Sequence, residues 1–383
     1  MFARLAAQVR NLGAVLSRRL MLGGSAALAV GATARPALAK GVGVDAPGAA
    51  VAREVVRGMM AQTHAPAMSA AVCRDGELVW AEAFGLADLE TKAPVSLTGR
   101  FRLASVSKLF AGAVAARLAE RGAVNLDRPI GNYRPSLPEP HRRTTLRQLL
   151  GHTAGVRHYI PRDYDPKAPG GAIDFRPYRN TEEALAVFIH DPLVSKPGEA
   201  FNYSTFGYVL AGAVLESATG KRFPQLVTEE VIRPLDLPTL MPESMTSVIP
   251  QRVSCYQPLK DGGLFKAPAI NPAYKWAGGG YVGAASDVAR FCTAFTTPGY
   301  LDEENLERMF TPLAPGPVGI GWWLDRDPEG RLRGYHAGSI AGGRSIALLL
   351  PEAGVSVVVL SNLSDLPVDP LTPAQRIAEA FLV

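Results

Sequence analysis

Gly319-Ile-Gly-Trp-Trp-Leu324, Arg333-Gly-Tyr-His336, Arg344-Ser-Ile-Ala-Leu-Leu-Leu350 and Val355-Ser-Val-Val-Val-Leu360 are four strand-like runs crowded into residues 319–360. The turns between them, Asp327-Pro-Glu-Gly330 and Pro351-Glu-Ala-Gly354, leave no room for crossover helices. Connections that short require antiparallel neighbours. At the other end, Met68-Ser-Ala-Ala-Val-Cys73 and Leu78-Val-Trp-Ala-Glu-Ala-Phe84 are joined through Arg-Asp-Gly, a hairpin signal, and follow a helical pattern over Ala49–Gln62. Together the two chain ends predict one sheet, closed by a C-terminal helix from Pro373 to Leu382.

The middle of the chain has a different period. Val106, Phe110, Val114 and Leu118 recur at helical spacing, with a stop at Gly122, and a second helix runs from Tyr203 to Thr219-Gly220. Pro-rich stretches at 135–177 and 234–272 are too long to be simple connectors and suit active-site rims. The predicted division is a sheet domain from 40–104 and 296–383, a mostly helical domain from 105–295, and a catalytic cleft between them.

The length, 383 residues, suits one large or two closely joined domains at ~100–200 residues each. The net charge of +5 is concentrated in residues 1–39, where five arginines stand without an acid. The remainder carries equal numbers of basic and acidic residues, which argues against a nucleic-acid partner. That leader reads as a cleaved signal peptide: Ser17-Arg18-Arg19, an uncharged run from Leu20 to Ala34, then Ala37-Leu38-Ala39. Its Ser-Arg-Arg-x-x-Leu pattern suggests twin-arginine export to a periplasmic or secreted location; a general secretory signal and a mitochondrial transit peptide are the alternatives. The uncharged run is shorter than the ~20 residues a membrane helix needs, so no span is expected after cleavage. Cys73, Cys255 and Cys292 lack metal-like spacing and allow at most one disulfide.

The chemistry-bearing segment is Ser105-Val106-Ser107-Lys108. Residues three apart on a helix share a face, so the Lys108 amine can reach the Ser105 hydroxyl and take its proton. By itself this tetrapeptide is weak and also fits a capping serine beside a solvated lysine. About a hundred residues on, Phe201-Asn-Tyr-Ser-Thr-Phe-Gly-Tyr208 places Tyr203 at a loop-to-helix junction, where an adjacent ammonium could lower its phenol pKa from about 10. Tyr335-His-Ala-Gly-Ser339 lies between two strand candidates.

In order and spacing these segments resemble the serine beta-lactamase and penicillin-binding protein family, in particular its class C, esterase (peptidase S12) and mitochondrial beta-lactamase-like serine protease branch. The resemblance covers about residues 50–382. It rests on Phe101-Arg-Leu-Ala-Ser-Val-Ser-Lys108, Leu149-Leu-Gly-His-Thr-Ala-Gly155, Pro197-Gly through Tyr208, Gly278-Gly-Gly with Ser286-Asp287, and His336-Ala-Gly338. It implies the α/β beta-lactamase/transpeptidase-like fold, an antiparallel sheet domain with an inserted helical domain. It also implies an acyl-enzyme serine hydrolase with Ser105 as nucleophile, Lys108 as its activating partner and Tyr203 as acid/base. The backbone N–H groups of Ser105 and Ser339 would form an oxyanion hole, with Gly338 and Thr205 among the substrate contacts. No cofactor or metal is expected; the partner would be a small acyl substrate or peptide, with cell-wall contact possible. Two departures stand out. Thr205 replaces the usual Asn, and His336 replaces a lysine, so a permanent cation becomes an imidazole that would titrate between about pH 5.5 and 7.5. That favours esters or peptides over beta-lactams, unless Arg344 compensates. The alternative is a catalytically weak penicillin- or peptidoglycan-binding or scaffold protein.

Other patterns carry less. Gly278-Gly-Gly-Tyr-Val-Gly283 matches a dinucleotide fingerprint without the strand before it, and a close backbone approach explains it better. Gly343-Arg-Ser-Ile-Ala347 leads into a strand, which makes Ser345 a poor nucleophile. His152 reads as a turn-stabilising residue.

Overall fold

A computed structural model describes residues 41–260, 262–364 and 369–382. The leader and its cleavage site lie outside the described residues. The strands of the main sheet are β1 (Ala67–Arg74), β2 (Glu77–Asp88), β3 (Ala93–Pro94), β4 (Trp323–Arg326), β5 (Leu332–Ile340), β6 (Gly343–Leu350) and β7 (Val355–Ser361). They form one antiparallel sheet in the order β3-β2-β1-β7-β6-β5-β4, so the two chain ends meet where β1 pairs with β7. The β1–β2 turn is made by Asp75 and Gly76, both at positive φ (49° and 89°), the backbone a two-residue hairpin of matching twist needs.

The longer helices are α1 (Ala49–Thr63), α2 (Ser107–Glu120), α3 (Thr205–Thr219), α4 (Ala285–Thr293) and α5 (Leu371–Ala380), of which α1, α4 and α5 pack on the sheet. Val355, Val357 and Val359 of β7 pack with α1 and α5, while Val358 and Leu360 face the opposite side. Both faces of β7 are therefore covered, which is why it reads as an unbroken apolar run. The helices α2 and α3 are apolar on nearly all sides and buried at the centre of the second layer.

The boundary expected at residue 295 is displaced. Helix α4, assigned by sequence to the helical part, packs on β1, β6 and β7, and Ser356 Oγ donates to Ala289 O at 2.9 Å. One continuous apolar cluster runs from Leu360 through Phe291 and Phe110 to Leu210, so sheet and helices share a core. The small side chains of β1, Ala67 and Ala71, permit that approach. Strand formation in 319–326 also starts late, at Trp323, because Gly319–Trp322 lies against α2: a Cβ on Gly112 would stand 2.7 Å from Ile320 O. All three cysteines are free thiols.

Candidate active site

Ser105 does not open the long helix. It occupies a one-turn 3₁₀ segment, Ala104–Val106, with α2 beginning at Ser107. The preceding Ala104 has φ 47°, a left-handed conformation costly for a residue with a Cβ, and such strain is held only where surrounding structure enforces it. Three supports do so. Leu103 N donates to Tyr281 O at 2.9 Å, Ser345 Oγ donates to Leu103 O at 2.7 Å, and Tyr281 N donates to Ser107 Oγ at 3.2 Å. Ser345 and Ser107 thus hold the turn, leaving Ser105 to face the cleft.

Ser105, Lys108 and Tyr203 come together. Ser105 Oγ is 3.2 Å from Lys108 Nζ and accepts from Tyr203 OH at 3.0 Å. Lys108 is fully buried; its amine also reaches Gly278 O at 2.6 Å and Thr205 Oγ1 at 3.2 Å. None of these partners is a carboxylate. Burial, reinforced by the charge of Lys275, drives the Lys108 pKa well below its usual 10.5. A neutral amine has two N–H donors and one lone pair, which fit Gly278 O, Thr205 Oγ1 and the Ser105 hydroxyl proton respectively.

This reverses the proton assignment expected from sequence. A lowered Tyr203 pKa required an ammonium beside it, but burial lowers the Lys108 pKa and pushes the Tyr203 phenol above its usual 10. Tyr203 is a proton donor at rest. The expected His336 titration near neutrality runs against its burial: the ring is enclosed, and desolvation lowers its pKa to about 3. Its Nδ1 lies 2.8 Å from Ala337 O, so Nδ1 carries the proton. The ring centroid stands 6.3 Å from that of Tyr203.

Thr205 is placed differently from a substrate contact. It is buried, its hydroxyl is engaged with Lys108, and its methyl would be only 2.6 Å from a Cβ on Gly278. The glycine run is therefore a close backbone approach that brings the Gly278 carbonyl onto the lysine. Gly338 closes the opposite wall, since a Cβ there would stand 2.5 Å from Leu103 O. Strand β5 pairs with β6 along Gly334–Ile340 but with β4 only along Leu332–Tyr335. One edge of His336–Ile340, including Ser339, thus has no strand partner among the described residues and lies beside the Ser105 turn. Arg344 is opposite Ser339 in the ladder and shares its face with Ile346 and Leu348, away from Ser345 and the turn. It does not replace the missing cation.

Several contributors were read in the sequence only in part or not at all. His152 Nδ1 accepts Ser204 N at 3.0 Å and His158 Nδ1 accepts Thr205 N at 3.2 Å, so two neutral imidazoles grip successive amides next to Tyr203. Desolvation above all lowers the His158 pKa to about 3 and that of His152 well below 6.5. Trp323 stacks on the Tyr203 ring at 6.2 Å, and Phe201 meets Trp323 edge-on at 5.4 Å. Lys275, paired with Asp174 at 3.1 Å, is a second buried amine. The quoted His152 and Gly278 motifs held part of this signal; Lys275 and Asp174 are a hundred residues apart and had none. Among the described residues no cluster of His, Cys, Asp and Glu is arranged to hold a metal.

A family model described as Beta-lactamase matches residues 52–381. The chain belongs to the beta-lactamase family. Among curated relatives in that family, the human mitochondrial serine beta-lactamase-like protein LACTB is 28% identical, over 78% of this chain and 71% of the relative. Esterase EstB of Burkholderia gladioli is 30% identical, over 76% and 85%. The octameric penicillin-binding protein homologue of Pyrococcus abyssi has the same fold, with TM-score 0.73 at 22% identity over 87% of this chain and 77% of that one. A D-stereospecific amidohydrolase from Streptomyces sp. superposes with TM-score 0.70 at 24% identity, over 86% and 97%. The family relationship makes this protein a serine hydrolase with the beta-lactamase/transpeptidase-like fold.

Proposed function

We propose that this serine hydrolase cleaves uncharged esters and amides through an acyl-enzyme on Ser105, and that it acts after export. The observation that carries the reading is the Ser105 hydroxyl held between the buried Lys108 amine at 3.2 Å and the Tyr203 phenol at 3.0 Å. Lys108 takes the Ser105 proton as Oγ attacks the carbonyl carbon. The developing oxyanion meets the N–H of Ser105 and that of Ser339 on the open strand edge. Tyr203 gives its proton to the leaving alkoxide or amine and regains one from the Lys108 ammonium. The acyl-enzyme forms with both groups in their starting states, and water reverses the sequence to release the acid.

Substrate class follows from charge. Beta-lactams and C-terminal peptides present a carboxylate near the reacting carbonyl, and a cation there would bind it. Here His336 is neutral and Arg344 is on the other face of the sheet, so uncharged substrates are favoured. The esterase among the relatives is consistent with that preference. Export rests on the acid-free, arginine-bearing leader with Ser17-Arg18-Arg19 and Ala37-Leu38-Ala39. A panel of nitrophenyl esters, D-alanyl peptides and nitrocefin should show turnover greatest on the esters. Ser105→Ala should abolish both turnover and fluorophosphonate labelling. Unreduced turnover by Ser105→Ala defeats the assignment, and no labelling of the unaltered protein returns the idle binding protein as the better account.

A further inference from the structure

Two buried lysines converge on this site, and one carboxylate distinguishes them. Lys275 is 6% exposed, and its Nζ is 3.1 Å from Asp174 Oδ1, which also accepts from Tyr274 OH at 3.0 Å. The ammonium lies over the rings of Tyr274 and Tyr159, at 4.9 and 5.6 Å. Lys108 is flanked by the rings of Tyr203 and Tyr208, at 5.0 and 5.4 Å, and its hydrogen-bond partners are Ser105, Thr205 and Gly278. The imidazoles facing this region, His152, His158 and His336, are neutral.

The two amines are also mechanically linked. Lys275 ends a short 3₁₀ turn, Pro272–Lys275, that runs directly into Trp276–Gly279, and the carbonyl of Gly278 takes Lys108 Nζ at 2.6 Å. A Cβ on Gly279 would lie 3.8 Å from Lys275 Cδ and 3.6 Å from the Ala104 carbonyl carbon, so the Lys275 stem and the nucleophile turn bracket one glycine. Two ammonium groups in one dry region repel, and the one facing a carboxylate keeps its proton.

We propose that Lys275 and Asp174 are a positioning pair that confines the positive charge of the site to Lys275 and thereby keeps Lys108 neutral and able to accept the Ser105 proton. Lys275 also fixes the turn that presents Gly278 O to Lys108. The inference rests on the reading of Lys108 as the base, and the experiment separates the two. Acylation by 4-nitrophenyl acetate is followed as the pre-steady-state burst across pH 5 to 10. Removing the charge in Lys275→Met should move the acid limb of the burst rate upward by about one pH unit, a loss of about tenfold on that limb that recovers at higher pH. Lys275→Arg retains the charge and should keep the limb near its original position.

A Lys275→Met limb coinciding with that of the unaltered protein overturns the proposal, as does a Lys275→Arg limb displaced as far as Lys275→Met. A Lys108→Met variant that retains the burst would instead overturn the assignment of the base. If Lys275→Met does not fold, lysine side-chain ¹³C spectra of the unaltered protein carry the same test. The resonance absent from Lys108→Met should titrate below the ordinary lysine value of 10.5; titration at or above that value overturns the proposal.

Discussion

Arg102 and Lys108 are separated by six positions and by one turn of backbone, and both side chains are buried. Arg102, on the short strand Phe101–Arg102, meets Glu243 at 2.8 Å and the Ala341 carbonyl at 2.6 Å. Lys108, on the far side of the Ser105 turn, meets a hydroxyl pair and a carbonyl. The first is a cation given its counter-ion. The second is an amine denied one. Elsewhere Arg157 with Asp163 repeats the arrangement of Arg102. Buried charge with a partner holds these elements in place; a buried amine without one gives up its proton and becomes a base.

The sharpest test of this contrast exchanges each cation for methionine. Lys108→Met should lower the acylation rate by about 10³–10⁴-fold while changing stability by less than about 1 kcal/mol, since lost hydrogen bonds offset the desolvation relieved. Arg102→Met should do the reverse. It strands Glu243 and should destabilise by about 3–5 kcal/mol in urea titration, with the surviving folded fraction retaining its burst. Equal stability losses in the two variants would break the comparison. Tyr203→Phe should come next, slowing acylation by about 10²-fold and most with poor leaving groups, because the phenol proton is the one delivered. A leaving-group-independent loss would assign Tyr203 to packing instead.

The pH behaviour sharpens the same division. His158 and His336 bind protons near pH 6.5 when unfolded but only near pH 3 when folded. The unfolded chain therefore takes up more protons in that window, and stability should fall as pH drops from about 6.5 toward 3. His336→Gln should flatten that slope in denaturant titrations and leave no change in the rate profile between about pH 5.5 and 7.5. Smallest of all is the specificity shift in His336→Lys: nitrocefin acylation should rise relative to esters by about tenfold, as a cation is restored near the carboxylate position. No change in that ratio would remove charge from the account of specificity.

Much of the architecture was legible because it is written in local patterns. Val355–Leu360 has the composition of a strand covered on both faces, and Asp75-Gly76 has the backbone of a two-residue turn. The family resemblance singled out Ser105, Lys108 and Tyr203 as candidate groups, and the structure brings their side chains together. Helix α4 was misassigned because its periodicity shows that it has an apolar face, and not which layer covers that face. Thr205 was taken for a substrate contact because its sequence position does not reveal that Gly278 approaches close enough to enclose it.

Sequence alone thus determined the antiparallel sheet built from both ends and the glycine run, since each depends on residue type and short-range spacing. Tertiary structure alone decided the direction in which each pKa moves. Whether Lys108 is an ammonium or a free amine, and whether Tyr203 is a phenol or a phenolate, depends on what excludes water and which charges lie nearby. Those neighbours, Lys275, Asp174, Gly278 and the imidazoles of His152, His158 and His336, come from distant parts of the chain. Desolvation and Coulomb energies are set by distance in space, and the linear sequence does not contain those distances.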